Sequence, residues 1–241
     1  PQVSVVYENV GGRLGEAPVW QTGAPRHSFD VAWADFDGDG WLDLVFANSG
    51  AGHTLYRSRQ GALPDGPDWV APGEDSDFEG NTLDWGDVDG DGVLDLVVSD
   101  NRQLGGPGVV RAWCGPELTH CWTSDDAPAH QSAVALEDVD GDGDLDLAAG
   151  SWWGPVRLYR NEEGVLAGAP DWSSEPAAIV AEAFAWEDVD GSGWTEASIS
   201  GEGLVAVPGR GRVLSVSGDL PIAAAGGWLS GPGRIEATYL Q

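Results

Sequence analysis

The sequence contains no Lys, no Met and only two Cys, and it has no long apolar run. Each absence excludes something. All 11 fixed cations are Arg, set against 40 acidic residues, and the formal net charge is −29. Binding to nucleic acid rests on clustered basic side chains that displace counterions from phosphates, so a general phosphate-backbone binder is excluded. No stretch approaches the roughly 18 apolar residues of a spanning helix, so no membrane span is expected. No Ser-His-Asp order, nucleophile elbow or Cys-His pair stands out, and the chain reads as a non-enzyme. It starts at Pro1, and with no Met it is expected to be a processed or trimmed piece of a longer polypeptide.

Helical periodicity is lacking too. In its place stand 36 Gly, 15 Pro and 13 Trp, a composition of many short strands joined by tight turns, so the fold class is all-β. The two cysteines, Cys114 and Cys121, bracket six residues, with Trp113 and Trp122 just outside the bracket on either side. That is a hairpin pattern, and a disulfide across it is expected, which favours an oxidising compartment.

The dominant feature is a repeat. Asp35-Phe36-Asp37-Gly38-Asp39-Gly40-Trp41-Leu42-Asp43 returns in runs beginning at Asp87, Asp138 and Asp188, so the intervals are 52, 51 and 50 residues. Such a period matches one four-stranded propeller blade. Flanking residues repeat with it: Trp33, Trp85, Leu136 and Trp186 close the strand before each loop, and Leu-Asp-Leu opens the strand after the first three. A third strand carries Tyr56, Trp113 or Tyr159, and a fourth begins near Trp69, Trp122 or Trp172.

The ends look like two halves of one more blade. Ser4 to Asn9 reads as a third strand and Ala17 to Trp20 as a fourth, while Trp228 to Glu236 resembles a first strand, a shortened loop and a second strand. A β-propeller of five four-stranded blades is expected, with repeats at about 28–75, 79–126, 131–176 and 181–217 in one domain spanning 1–241. The closing blade joins 222–241 to 1–22 and hides the open sheet edges. The alternative is a larger ring that draws on sequence outside this chain.

Each acidic loop sets carboxylates at positions 1, 3, 5 and 9, with Gly at 4 and 6. Calcium takes six to eight hard oxygens, and alternate residues of a tight turn can point inward to supply them. One such loop would read as an ordinary turn; three with four aligned carboxylates read as metal sites. The expected ligands are Asp35, Asp37, Asp39, the Trp41 carbonyl and Asp43; Asp87, Asp89, Asp91, the Val93 carbonyl and Asp95; and Asp138, Asp140, Asp142, the Asp144 carbonyl and Asp146. The fourth loop offers Asp188, Asp190, Ser192, Trp194 and Glu196, and with Ser in place of the third carboxylate it is expected to bind more weakly. Three ions would bring the net charge from −29 to −23.

The motif resembles the FG-GAP and related VCBS-type repeats of integrin α-subunits and many bacterial surface proteins, over essentially the whole chain. That resemblance implies a calcium loop between the first two strands of each blade and ligand recognition on the opposite face. On that face Asn101 and Arg102, followed by Gln103, lie in one connection and Trp152 and Trp153 in another. Exposed aromatics beside polar groups stack on sugars or protein side chains. A secreted or cell-surface, monomeric recognition module for a glycan or protein ligand is therefore expected. Two alternatives stand beside it: an enzyme at the channel mouth, where His27 and His130 occupy equivalent positions, and a structural spacer in a larger surface protein.

Overall fold

The computed structural model describes residues 1–73, 78–102, 108–125, 130–174, 179–188, 195–202, 222–224 and 227–229. Its strands are all antiparallel. The N-terminal segment holds β1 (Val5–Val6) and β4 (Trp20–Gln21), which pair with each other around a small hairpin of β2 (Asn9–Val10) and β3 (Arg13–Leu14). The first repeat is a four-stranded sheet of β5 (His27–Ala34), β6 (Asp43–Ser49), β7 (Thr54–Tyr56) and β8 (Trp69–Val70). The second is β9 (Gly80–Gly86), β10 (Asp95–Asp100), β11 (Val110–Cys114) and β12 (Thr119–Thr123). The third holds β13 (His130–Glu137), β14 (Asp146–Gly154), β15 (Arg157–Tyr159) and β18 (Trp172–Ser173), with a two-stranded finger of β16 (Asn161–Glu162) and β17 (Val165–Leu166). The fourth begins with β19 (Ile179–Glu187) and β20 (Glu196–Glu202), and β21 (Ile222–Ala224) pairs with β22 (Gly227–Leu229).

These sheets stack face to face in a β-propeller-like arrangement. Side chains on a strand alternate between faces, so each second strand serves two interfaces. Val45, Ala47 and Leu55 meet Leu83, Leu96, Val98 and Trp113 of the second repeat. Val97, Val110 and Ala112 turn the other way and meet Val134, Leu147, Ala149 and Tyr159 of the third. Burial on both faces is why these second strands are continuous apolar runs rather than alternating ones.

Polar side chains tie the first strands of adjacent repeats together. Asp30 Oδ2 accepts from the Leu83 amide at 3.0 Å, and Thr82 Oγ1, at the same place one repeat on, accepts from the Val134 amide at 3.0 Å. Asp84 adds a bridge to the Leu136 amide at 2.8 Å, and burial pushes its carboxyl above the usual range.

The N-terminal pair has the register of an outer half-blade. Val6 lies opposite Trp20 as Leu55 lies opposite Trp69, Ala112 opposite Trp122 and Leu158 opposite Trp172. The Trp20 indole donates to the Pro64 carbonyl at 2.8 Å, and the Trp122 indole makes the same bond to Ala167 at 3.2 Å. Val6 and Trp20 cover Leu44, Phe46 and Tyr56 of the first repeat. Among the described residues the inner part of that face is uncovered: Phe29, Val31 and Trp33 are 64%, 49% and 48% exposed, whereas Leu83 and Val134, the counterparts of Val31, are 8% and 7% exposed.

Two details differ from the sequence reading. The N-terminal strand expected from Ser4 to Asn9 is confined to Val5–Val6, because the chain turns at Gly11 and Gly12 into the β2–β3 hairpin. Trp152 and Trp153 do not lie in a loop. β14 runs on to Gly154, pairs Trp152 with His130, and beyond a bulge pairs with β19, which joins the third and fourth repeats into one sheet.

One buried base reports on the interface between the first two repeats. His53 is packed edge-on against Phe78 and Trp113, and its Nδ1 accepts from the Asn48 amide at 3.1 Å. Burial, with a smaller contribution from the Arg111 charge, lowers its pKa to about 3. The unfolded chain takes up this proton near pH 6.5, so the stability is complete above that value and is lost as pH falls toward about 3. The loss is expected at about 1.4 kcal/mol per pH unit within that window. Urea unfolding of the wild type and of His53→Gln across the window checks this: the difference in stability between them should change with pH, and parallel curves would contradict it.

Candidate metal centres and an aromatic platform

The acidic loops follow directly from the strand ends that flank them. The first strand delivers Asp35, Asp87 or Asp138, and the second begins with Asp43, Asp95 or Asp146. Glycines at the fourth and sixth positions take left-handed backbone, with φ of 72° and 88° at Gly38 and Gly40, which closes the turn tightly. The aspartates then aim inward. In the first loop Asp35 Oδ2 accepts from the Gly40 amide at 3.0 Å, Asp37 from Asp39 at 3.3 Å, and Asp39 from Trp41 at 2.9 Å. Asp87, Asp89 and Asp91 repeat these bonds with Gly92, Asp91 and Val93.

In each of the three loops the carboxylates at positions 1, 3 and 5 offer oxygens within 4.8 Å of one another. A calcium ion with oxygens at about 2.3–2.6 Å holds its ligands at such separations, so the three oxygens can share one centre. A second sign fits a cation: Asp35 Oδ1 and Asp87 Oδ1 are buried and have no hydrogen-bond partner among the described residues. Buried carboxylate oxygens without a donor are costly, and a metal ion satisfies them.

The ninth aspartates are the most buried of each set. Asp43 accepts from the amides of Phe36 at 3.1 Å and Ser58 at 2.7 Å, and Asp95 from Val88 at 2.8 Å and Gly115 at 2.9 Å. They therefore pin the loop to the end of the third strand; Asp95 Oδ2 also accepts from the Asp89 amide at 3.3 Å, while both oxygens of Asp43 and Oδ1 of Asp95 keep a lone pair for a further partner. Burial raises the carboxyls of Asp43, Asp95 and Asp146 above the usual range, and neighbouring loop carboxylates add to it.

Of the fourth loop, Asp190, Ser192 and Trp194 lie outside the described residues, as does the side chain of Glu196; Asp188 directly follows the first strand of that repeat as its counterparts do. The hairpin reading of the cysteines holds, since Cys114 and Cys121 form a disulfide between β11 and β12.

At the far end of β14 from its acidic loop, about 23 Å away at strand rise, the residues singled out for recognition, Arg102 apart, come together around His130. Trp153 is 66% exposed with φ of 58°, an uncommon backbone for a bulky residue. Its ring stands edge-on to His130 at 5.8 Å and to Trp152 at 5.7 Å. His130 in turn donates from Nδ1 to the Asn101 carbonyl at 2.9 Å. The Asn101 amide group and the Trp152 indole N–H are buried without partners among the described residues. Arg102 turns away and pairs with Asp100 at 3.1 Å.

Sequence reasoning missed Arg160 and Asn161, which meet the third loop. Their signal lies in the alignment of Tyr56-Arg57-Ser58, Trp113-Cys114-Gly115 and Tyr159-Arg160-Asn161, whose third member donates its amide to the ninth aspartate each time. Among the described residues neither His27 nor His130 joins a cluster of three metal-ligating groups.

A family model for FG-GAP-like repeats matches residues 2–46, 35–98 and 138–197, together well over half of the chain. No curated protein matches it.

Proposed function

The chain belongs to the FG-GAP-like repeat family, and from that premise we propose that it is a secreted or cell-surface calcium-binding propeller that recognises a glycan or protein ligand without catalysing a reaction. The observation that carries the calcium reading is the orphaned, buried Oδ1 of Asp35 and of Asp87 inside carboxylate clusters. Asp35, Asp37, Asp39 and Asp43, with the Trp41 carbonyl, would hold the first ion. The equivalent sets at Asp87 and Asp138 would hold the second and third, and the fourth loop would bind more weakly. Calcium supplies positive charge that relieves repulsion between the carboxylates and so fixes the loop. An extracellular setting supplies both the millimolar calcium and the oxidising conditions suited to the Cys114–Cys121 bridge.

Ring closure belongs to the same proposal. The five-bladed ring has a closing blade whose outer half is 1–22 and whose inner half comes from 222–241. The register of Val6 with Trp20 supports this, as does the open face of Phe29, Val31 and Trp33.

Recognition falls to Trp153, with Trp152 and His130 against its ring and Asn101 behind His130, while Arg102 is held by Asp100. An exposed indole held edge-on by two neighbouring rings loses little freedom when a ligand stacks on it. Glycan-array screening of the calcium-loaded protein, followed by titration of the best hit, tests this. Trp153→Ala should lose about 2 kcal/mol of affinity, about thirtyfold, with the melting temperature unchanged. Loss of stability without loss of binding would assign Trp153 to packing.

A further inference from the structure

The three complete acidic loops are not equivalent. In the third, the Arg160 guanidinium enters the loop: Nη1 lies 2.6 Å from Asp146 Oδ2 and 3.2 Å from Asp140 Oδ2. Its Nε faces Asp171 at 3.9 Å. The position is the same in each repeat, at the end of the third strand, but the chemistry is not. Arg57 turns away, donating to the Pro116 carbonyl at 2.6 Å and lying over the Phe36 ring at 5.0 Å. Cys114 is locked in its disulfide. A second difference is independent of Arg160. Asp138 Oδ1, the counterpart of the orphaned oxygens of Asp35 and Asp87, accepts from the amides of Gly141 at 2.7 Å and Asp142 at 3.1 Å.

We infer that Arg160 is a resident counter-cation of the third loop, which makes this loop the weakest of the three for calcium and lets it keep its shape without an ion. This rests on the calcium reading of the loops. Two cations compete for Asp140 and Asp146. An ion entering the third loop must displace the guanidinium or sit beside its charge, and either raises the dissociation constant. The first two loops hold no such charge among the described residues, so their carboxylates depend on the ion. The chain thus carries loops graded in affinity, two filled at low calcium and one that responds as calcium rises.

Calcium titration calorimetry on the full, cation-stripped chain tests this, with Arg160→Gln, Arg160→Met and Arg160→Lys beside the wild type. Beside the weak fourth loop, the wild type should show two tight sites and a weaker one assigned to the third loop, the one site that the Arg160 variants change. Removing the charge in Arg160→Gln and Arg160→Met should tighten that weaker site at least about tenfold, whereas Arg160→Lys keeps it weak. Asp138→Asn placed in the Arg160→Gln background should abolish the tightened site. Three equal sites in the wild type, or neutral variants with the wild-type isotherm, would overturn the inference while leaving the calcium reading in place. An absence of calcium binding in the wild type would overturn both, and the Gln and Met variants must agree for the inference to stand.

Discussion

Chelation of calcium is expected to lower the melting temperature of this protein by about 10–20 °C. The expectation starts from the first two acidic loops, where a buried oxygen of Asp35 and of Asp87 has no donor. Occupancy at about a hundredfold above the dissociation constant contributes about 2.7 kcal/mol per site, so two such sites contribute about 5 kcal/mol. A domain of this size shifts by about 2–4 °C per kcal/mol. Asp89→Ala should remove most of one site's share, and Asp190→Ala much less, because the fourth loop has Ser192 in place of a third carboxylate. Thermal unfolding with and without chelator measures both, and equal effects of the two substitutions would contradict the ranking of the loops.

Deletion of residues 1–21 has the second large effect. It removes β1 and β4 and uncovers Leu44, Phe46 and Tyr56, where Trp20 packs edge-on to Tyr56 at 5.0 Å and donates to Pro64. Next to Phe29, Val31 and Trp33, the loss leaves one side of the first repeat with half of its closing blade, and apolar sheet faces uncovered in this way associate. The shortened chain should aggregate on size-exclusion chromatography, and Trp20→Ala alone should cost about 3 kcal/mol. A shortened chain that remains monomeric with unchanged stability would show that the N-terminal segment is an accessory arm.

Much of this arrangement is legible in the sequence, for a physical reason. Each repeat solves the same packing problem, so Trp20, Trp69, Trp122 and Trp172 recur at the same register opposite Val6, Leu55, Ala112 and Leu158. The loops are legible because alternate aspartates separated by glycines recur three times with the same spacing, which a single turn motif would not show. What the sequence hides is set by contacts between repeats. Nothing local shows that Arg160 enters an acidic loop while Arg57 lies on Phe36, since that depends on which neighbour each side chain meets. Nor does the Gly150–Pro155 segment announce that β14 continues through Trp152 and Trp153, because its partners there include β19 of the next repeat beside His130 of β13. The buried state of His53 likewise comes from Phe78 and Trp113, both in the second repeat.

The central claim is that the acidic loops are calcium sites, and anomalous diffraction from crystals grown in calcium tests it most directly. The account predicts peaks enclosed by Asp35, Asp37 and Asp39 and by Asp87, Asp89 and Asp91, with a weaker peak at Asp138, Asp140 and Asp142. Crystals grown at millimolar calcium that show no anomalous density between those carboxylates would contradict it.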